Sequence, residues 1–302
     1  MRLPHDEQVL EKTKDDVRAF WDANPCGLKF TPDEIGTQAF FEAVEAFRYE
    51  AEGHILDFLP LDQVAGKRVL EIGCGMGTDG SQWAQHGATY VGMDLTPTAV
   101  RLTKKRFQMF DLPGAMLEGD AENLPYVDNT FDFVYSHGVL HHTPDTQRTF
   151  DEVHRVLKPG GQAIIMLYHK NSWNYWGNIY LLRRLGTALL ALPGGPKLVS
   201  RLTGERVERL SEHRENLKKQ GLKYLKMETF LSQNTDGPGN PIAKVYTRKQ
   251  VGHLFGKFTN VNTRVAFLNR RWLPLIGSML SPAMEKKLAS RIGWHLWIFV
   301  TK

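Results

Sequence analysis

The chain has 302 residues, of which 42% are hydrophobic and 24% are charged; this composition excludes a disordered or fibrous protein and suits one large α/β domain with an appendage. Two cysteines, Cys26 and Cys74, exclude a disulfide framework and lack the spacing of a metal site, so we expect no metal and a cytoplasmic protein. The net charge of +5 fits nucleic acid, an anionic membrane, an acidic substrate or simply a solvated basic surface.

Residues 1–62 are predicted to form an N-terminal helical cap. Helical patterns over residues 17–21 and 39–58 are separated by the turn-forming segments 24–27 and 31–32. The first residues carry charges where a signal peptide needs apolar residues, and no apolar run approaches the ~20 residues of a membrane-spanning helix. We therefore expect a soluble protein that at most adheres to a membrane surface.

Residues 63–169 alternate between short β-rich runs and helical runs. The β-rich runs are RVLEI, TYVGMD, AMLEGD, FDFVYSH and QAIIMLY, and this rhythm predicts right-handed crossovers and a parallel sheet. Residues 170–244 break the rhythm and are predicted as a helical insertion after the fifth strand. Residues 245–302 resume it with a helix and two more strands. We thus predict an α/β fold, a Rossmann-like doubly wound sheet of seven strands.

A glycine-rich turn, Gly73-Cys74-Gly75-Met76-Gly77, follows the first strand and precedes a helix. Glycine there allows a ligand to approach the backbone, at the sheet edge where open α/β sheets bind ligands. About 20 residues on, Asp94 ends the second strand, where a carboxylate can accept hydrogen bonds from ribose hydroxyls. Together these features predict a nucleoside pocket, although the glycines alone would also suit a structural turn.

Residues 75–80 also satisfy the G-x-G-x-x-G pattern of dinucleotide-binding proteins, which keeps an NAD-dependent oxidoreductase as an alternative. Glu71 and Asp79 flank the turn, and we expect their negative charges to oppose a pyrophosphate. The same charges would suit a ligand that carries an ammonium and a sulfonium. Charge therefore favours a cationic cofactor.

Five motifs in order resemble those of class I S-adenosylmethionine-dependent methyltransferases, and most closely the small-molecule branch that includes quinone, sterol and arsenite methyltransferases. The resemblance covers residues 67–167, and its motifs are Glu71-x-Gly73-x-Gly75-x-Gly77, Asp94, residues 119–125, Phe131-Asp132 and residues 157–161. It implies S-adenosylmethionine as methyl donor and S-adenosylhomocysteine as product. The cofactor site that it implies comprises Tyr49, Glu71, Gly73, Cys74, Gly75, Gly77, Asp94, Leu95, Asp120, Ala121 and His137.

Individual roles follow from the same resemblance. The glycines would hold the methionine part of the cofactor, with Glu71 ordering their loop. Asp94 would bind the ribose, and Asp120 with Ala121 the adenine. The segment that carries Arg48 and Tyr49 would cover the cofactor.

The acceptor site is expected beyond the fourth and fifth strands. His141 and His142 follow the fourth strand, where a general base would serve a phenol, an enol or a carbon acid. With Tyr168, they are the candidate catalytic residues. Aromatic side chains after the fifth strand can line an apolar pocket, although core packing explains them equally well. The candidate substrate-binding residues are His142, His169, Trp173, Trp176 and Tyr246.

Three other functions remain open: a nicotinamide-dependent oxidoreductase, a nucleic-acid methyltransferase and a non-catalytic cofactor-binding regulator. Against nucleic acid, the chain has no Asp/Asn-Pro-Pro-Tyr motif after the fourth strand, and its basic residues are dispersed. We expect a small-molecule substrate, with the protein a monomer or a homodimer. The leucine-rich, arginine-containing segment 179–192 predicts peripheral membrane contact and an amphipathic or isoprenoid-like acceptor.

Overall fold

The computed structural model describes residues 4–273 and 277–302. In these residues seven strands form one sheet in the order β3-β2-β1-β4-β5-β7-β6, as the sequence predicts. The strands are β1 Arg68–Ile72, β2 Thr89–Asp94, β3 Ala115–Glu118, β4 Phe131–His137, β5 Leu157–Tyr168, β6 Thr259–Ala266 and β7 His295–Thr301. Strands β1 to β5 pair in parallel.

The strand register brings the ends of the central strands to one edge of the sheet. Ile72, the last residue of β1, pairs with Met93 of β2, and Asp94 pairs with Glu118 of β3. On the other side of β1, Glu71 pairs with Tyr135, two residues before the end of β4. The glycine turn, Asp94, the segment after β3 and His137 therefore share this edge.

Four helices connect these strands, and two of them start at residues with capping side chains. The four helices are α4 Thr78–Gln85, α5 Pro97–Met109, α6 Thr146–Val156 and α11 Arg248–Leu254. Thr96 accepts a hydrogen bond from the Ala99 backbone N–H at the start of α5, and Asp145 accepts one from Arg148 at the start of α6. Such caps satisfy N–H groups that have no partner within the helix.

The N-terminal helices are α1 Pro4–Ala23, α2 Gln38–Glu52 and α3 His54–Phe58. Helix α2 buries Phe40, Phe41 and Val44 against Met76 of the glycine turn and Leu102 of α5. Burial of side chains of this size stabilises the contact by about 1.5–3 kcal/mol each. Helix α2 is thus fixed directly beside the turn that follows β1.

The chain divides into two compact units. The first comprises residues 1–167, 248–264 and 296–302, and the second comprises residues 168–247 and 265–295. The second unit contains a π-helix, Asn174–Arg183, followed by α7 Arg184–Leu190, α8 Gly195–Thr203, α9 Val207–Gln220, α10 Met227–Thr235 and α12 Pro282–Ile292. Among the described residues, no helix has the length and apolar character needed to cross a bilayer.

Candidate active site at the carboxyl edge of the sheet

The glycine turn after β1 requires glycine at several positions. Gly73, Gly75 and Gly77 have φ angles of +79°, +56° and +74°, which side-chain-bearing residues rarely adopt. A Cβ at Gly77 would lie 2.8 Å from Cγ2 of Thr103, whereas no atom lies within 4 Å of the Cβ position at Gly75. The turn therefore packs tightly against α5 at Gly77 and leaves free space at Gly75.

The N–H groups of this turn are mostly committed to acceptors inside the protein. Gly73 and Cys74 donate to the carbonyl oxygen of Met93 at 2.7 and 3.1 Å, and Gly77 donates to that of Cys74 at 2.8 Å. Gly75 donates to Oδ2 of Asp94 at 3.0 Å. A phosphate-binding loop needs such groups free to face the ligand. The geometry therefore argues against the pyrophosphate of a dinucleotide.

Asp94 is held in place by short hydrogen bonds at the end of β2. Besides the bond from Gly75, its Oδ1 accepts from the Thr96 backbone N–H at 3.0 Å and from the Thr96 hydroxyl at 2.9 Å. Burial raises the pKa of Asp94 above its usual value, although these hydrogen bonds oppose the shift. Half-buried Leu95 follows it. The carboxylate is thus fixed beside the open space at Gly75.

Asp120, two residues beyond the end of β3, meets a lysine from the N-terminal helix. Its Oδ1 accepts from the Glu122 backbone N–H at 2.8 Å, and its Oδ2 lies 2.6 Å from Nζ of Lys14. Burial alone would lower the pKa of Lys14, but the carboxylates of Asp120 and Glu122 raise it above its usual value. Ala121 beside them is buried. Helix α1 is therefore anchored to the segment expected to bind adenine.

Arg48 and Asp79 form a buried ion pair between α2 and the start of α4. Nε of Arg48 lies 2.8 Å from Oδ1 of Asp79, and an Nη lies 2.5 Å from Oδ2. The hydroxyls of Tyr49 and Tyr135 donate to the same carboxylate at 3.1 and 2.7 Å. Burial alone would raise the pKa of Asp79, but Arg48 and the hydrogen bonds hold it below its usual value.

This pairing corrects the electrostatic argument made from the sequence. The expectation of two uncompensated carboxylates around the turn is wrong for Asp79, because Arg48 neutralises it. Glu71 accepts a hydrogen bond from the hydroxyl of Tyr90 at 2.6 Å, and burial together with the charge of Asp79 raises the pKa of Glu71. The internally bonded N–H groups, rather than net negative charge, disfavour a pyrophosphate here.

His137 ends β4 and faces the same ion-pair network. Its Nδ1 lies 3.2 Å from an Nη of Arg48, and its Nε2 lies 3.7 Å from Oε2 of Glu52. The imidazole also packs against the ring of Trp297. Burial and the charge of Arg48 lower the pKa of His137 well below its usual value. His137 is therefore neutral at physiological pH.

His141 and His142 lie in a short 3-10 helix, Leu140–His142, three residues after β4. Both side chains are buried, and their ring centroids are 4.4 Å apart. Trp21 of α1 packs edge-on against His142 at 5.2 Å. Helix α1 thus contacts both the Asp120 segment and this histidine pair.

The remaining predicted residues belong to the second unit. Tyr168 donates to Oδ1 of Asp236 at 2.7 Å and stacks on the ring of Trp294. His169 lies with its Nδ1 3.1 Å from the carbonyl oxygen of Gly293, and a backbone bridge joins it to Tyr246. The structure therefore brings Tyr168, His169 and Tyr246 together.

The two predicted tryptophans of the second unit have different surroundings. The indole N–H of Trp173 donates to the carbonyl oxygen of Trp272, and its ring packs against a small apolar cluster around Leu268. Trp176 is half exposed and contacts the rings of Tyr175 and Tyr180.

Lys14 and Trp21 contact predicted site residues, although neither was predicted to belong to the site. These two residues are seven positions apart in one helix, so they project from the same face of α1. Residues 17–21 were predicted to be helical, and extending that helix one turn back would have placed Lys14 on the same face as Trp21, two turns away. No local sequence pattern indicates that this face of α1 contacts Asp120 and His142.

The segment that carries the glycine turn is similar to known proteins. Residues 70–165 match the family described as "Methyltransferase domain". Over 117 residues the chain is 45% identical to the phthiotriol/phenolphthiotriol dimycocerosates methyltransferase of Mycobacterium leprae, covering 37% of this chain and 42% of that protein. It is 27% identical to the demethylmenaquinone methyltransferase of Paenarthrobacter aurescens, over 57% of this chain and 71% of that protein.

Among solved structures, a chain from the complex between the Haloferax volcanii Trm112 methyltransferase activator and a methyltransferase shares the fold. Its TM-score is 0.52 at 16% identity, covering 94% of this chain and 96% of that chain. The present chain spans less than half the length of the mycobacterial relative. The segment that matches the methyltransferase domain, residues 70–165, contains the glycine turn, Asp94, Asp120 and His137. Residues 70–165 of this chain are therefore similar to a methyltransferase domain.

Proposed function

We propose that this protein transfers a methyl group from S-adenosylmethionine to an amphipathic small molecule of the lipid or quinone class. The observation that carries the proposal is a glycine turn whose N–H groups are bonded internally, with Asp94 and Asp120 at the ends of the next two strands. Carboxylates placed in this way suit the hydroxyl and amine donors of a nucleoside without phosphates.

The residues present fit this cofactor. The free space at Gly75 admits a ligand against the backbone, and Asp94 would accept from the ribose hydroxyls. Asp120 and Ala121 would contact the adenine, with Leu95 beside the ribose. Tyr49 and Glu71 would act indirectly, because Tyr49 bonds to Asp79 and Glu71 bonds to Tyr90.

When bound, S-adenosylmethionine supplies an electrophilic methyl group on a sulfonium, which needs no further activation. The protein's task is then to align the acceptor, exclude water and remove a proton where the acceptor carries one. His141 or His142 would take that proton from a phenol, an enol or a carbon acid. His137, being neutral, adds no positive charge beside a sulfonium.

The proposed acceptor class rests on two kinds of support. The relatives are named for phthiotriol or phenolphthiotriol dimycocerosates and for demethylmenaquinone. In the second unit the backbone of Tyr246 pairs with those of Tyr168 and His169, and aromatic side chains at these positions would suit an apolar or conjugated acceptor. Trp173 and Trp176 remain candidates for the same role, and the oligomeric state and the cytoplasmic location remain predictions.

The test is a transfer assay with S-adenosylmethionine labelled in its methyl group, offered with quinones, polyphenols, prenyl diphosphates, lipids and, in a separate reaction, nucleic acid. We expect label in a lipid or quinone product. His142→Gln should lower kcat by about 100-fold if His142 is the base, whereas His253→Gln, at an exposed histidine of α11, should leave it unchanged. Label in none of these acceptors, or only in nucleic acid, would contradict the proposed acceptor class.

A further inference from the structure

The second unit exposes leucines in a regular pattern. Leu181, Leu185 and Leu192 of the π-helix and α7 region are exposed, and so are Leu198 and Leu202 of α8. Leu185 is 60% exposed and Leu202 is 69% exposed, whereas a leucine in an ordinary surface helix faces the core. We call these five residues the leucine surface.

Helical geometry places four of these leucines on the outer sides of their helices. Leu181 of the π-helix lies four residues before Leu185 of α7, and Leu198 lies four before Leu202 in α8; residues at this spacing share one side of a helix. Leu192 lies in the turn between α7 and α8. The buried residues Leu190 and Val199 join α7 and α8 with Leu210 of α9 in an apolar cluster. The core of these helices is therefore complete without the leucine surface, which faces solvent.

Basic residues accompany the exposed leucines. On α8, Lys197 and Arg201 are exposed and precede Leu198 and Leu202 by one position each. Residues 176–226 contain eleven lysines and arginines against four glutamates, a net charge of +7, although the whole chain carries only +5. The rest of the chain is therefore slightly acidic, at −2, and the positive charge of the protein is concentrated in this segment.

We infer that the leucine surface and its basic neighbours dock on the headgroup layer of an anionic lipid bilayer. Exposed leucines beside lysine and arginine are the pattern of helices that lie in the plane of a membrane surface. Trp176 and Tyr180 are half exposed, and aromatic rings of these residue types are enriched at the interface between a bilayer and water. Long basic side chains can extend to the phosphates while the leucines enter the acyl region.

Charge favours a membrane over a second copy of this chain. A symmetric dimer through this surface would bring two segments of net charge +7 against each other, because both copies use the same patch. Like charges in contact oppose such an interface. A bilayer with anionic headgroups instead attracts the segment and accepts the leucines.

The test is flotation of the purified full chain with phosphatidylcholine vesicles, with and without phosphatidylglycerol, and with neither cofactor nor acceptor present. We expect the protein in the floating fraction only with phosphatidylglycerol, and less of it as salt is raised. Leu185→Ser/Leu202→Ser should lower partitioning by roughly tenfold or more. Lys197→Glu/Arg201→Glu should lower it by at least roughly tenfold.

Matched controls change exposed residues elsewhere. Val127→Ser/Met284→Ser removes apolar side chains of similar exposure, and Lys249→Glu/Lys287→Glu reverses two exposed charges; both should float like the unmodified protein. Thermal melting of each variant checks its folding.

Absence of the unmodified protein from anionic vesicles, or unchanged flotation of a folded leucine variant, would overturn the inference. So would a dimer that the leucine variant converts to a monomer. Methyl transfer does not enter this assay, so its result is independent of the proposed reaction.

Discussion

Replacing Arg48 by methionine would remove the charge that compensates the buried carboxylate of Asp79. The side chain of Asp79 is only 3% exposed, and Arg48 contacts both of its oxygens. Removing one member of a buried pair costs about 3–5 kcal/mol, because the other charge stays buried without compensation. Since the hydroxyls of Tyr49 and Tyr135 remain, we expect a loss near the lower end, about 3 kcal/mol.

Urea denaturation at neutral pH measures this loss as a lower midpoint at an unchanged slope. The control is Lys218→Met, which breaks an exposed pair with Glu215 in α9 and should cost less than about 1 kcal/mol. Arg48→Met/Asp79→Asn should be more stable than Arg48→Met, because the amide that replaces Asp79 carries no charge that Arg48 would have to compensate. A loss below about 1 kcal/mol for Arg48→Met, or strict additivity with Asp79→Asn, would refute the reasoning.

Three further outcomes follow from the structure. Gly77→Ala should destabilise the protein by roughly 1–3 kcal/mol in urea denaturation, because its φ is +74° and Thr103 lies against it. Gly186→Ala in α7, where a Cβ meets open space, should instead stabilise by roughly 0.5–1 kcal/mol; equal effects would count against this account. Burial lowers the pKa of His213 from 6.5 to about 3, so the unfolded chain binds the proton first and stability falls as the pH drops between those values. The slope should be on the order of 1 kcal/mol per pH unit, and thermal melts should show a flatter fall for His213→Gln than for the unmodified protein.

Much of the fold could be predicted from local patterns. The strands RVLEI, TYVGMD and FDFVYSH have the predicted bounds, because each is a short run of buried residues between turn signals. The fifth strand begins at Leu157 rather than at Gln162. The sequence Pro159-Gly160-Gly161 has the composition of a turn, but it forms part of β5. Opposite it, the pairing register with β4 shifts between Phe131 and Phe133.

Gly73, Asp94 and His137 could be predicted to share one edge of the sheet because each lies at or next to the end of a parallel strand, and the topology brings those ends together. The partners of these residues could not be found in this way. Lys14 meets Asp120 across 106 positions of sequence, and Arg48 meets Asp79 across 31. Such pairs depend on how helices pack on the sheet, which no local pattern encodes. The charge around the turn was misjudged for this reason.

The second unit illustrates a different limit. Its aromatic residues were predicted from their position after the fifth strand, and that position is compatible with packing and with substrate binding alike. The structure shows Tyr168 bonded to Asp236 and Trp173 bonded to Trp272. The ring of Tyr168 also stacks on Trp294, and that of Trp173 packs against the cluster around Leu268. Internal hydrogen bonds and packing therefore account for these two side chains.

Isothermal titration calorimetry with S-adenosylhomocysteine and with a nicotinamide dinucleotide tests the central claim most directly. The purified chain should release heat with S-adenosylhomocysteine and none with the dinucleotide. Asp94→Ala should bind at least about tenfold more weakly, since it loses hydrogen bonds to a charged acceptor, while Asp62→Ala, at an exposed carboxylate, should bind normally. Heat with the dinucleotide alone, or undiminished affinity in a folded Asp94→Ala protein, would contradict the site described for Gly75 and Asp94.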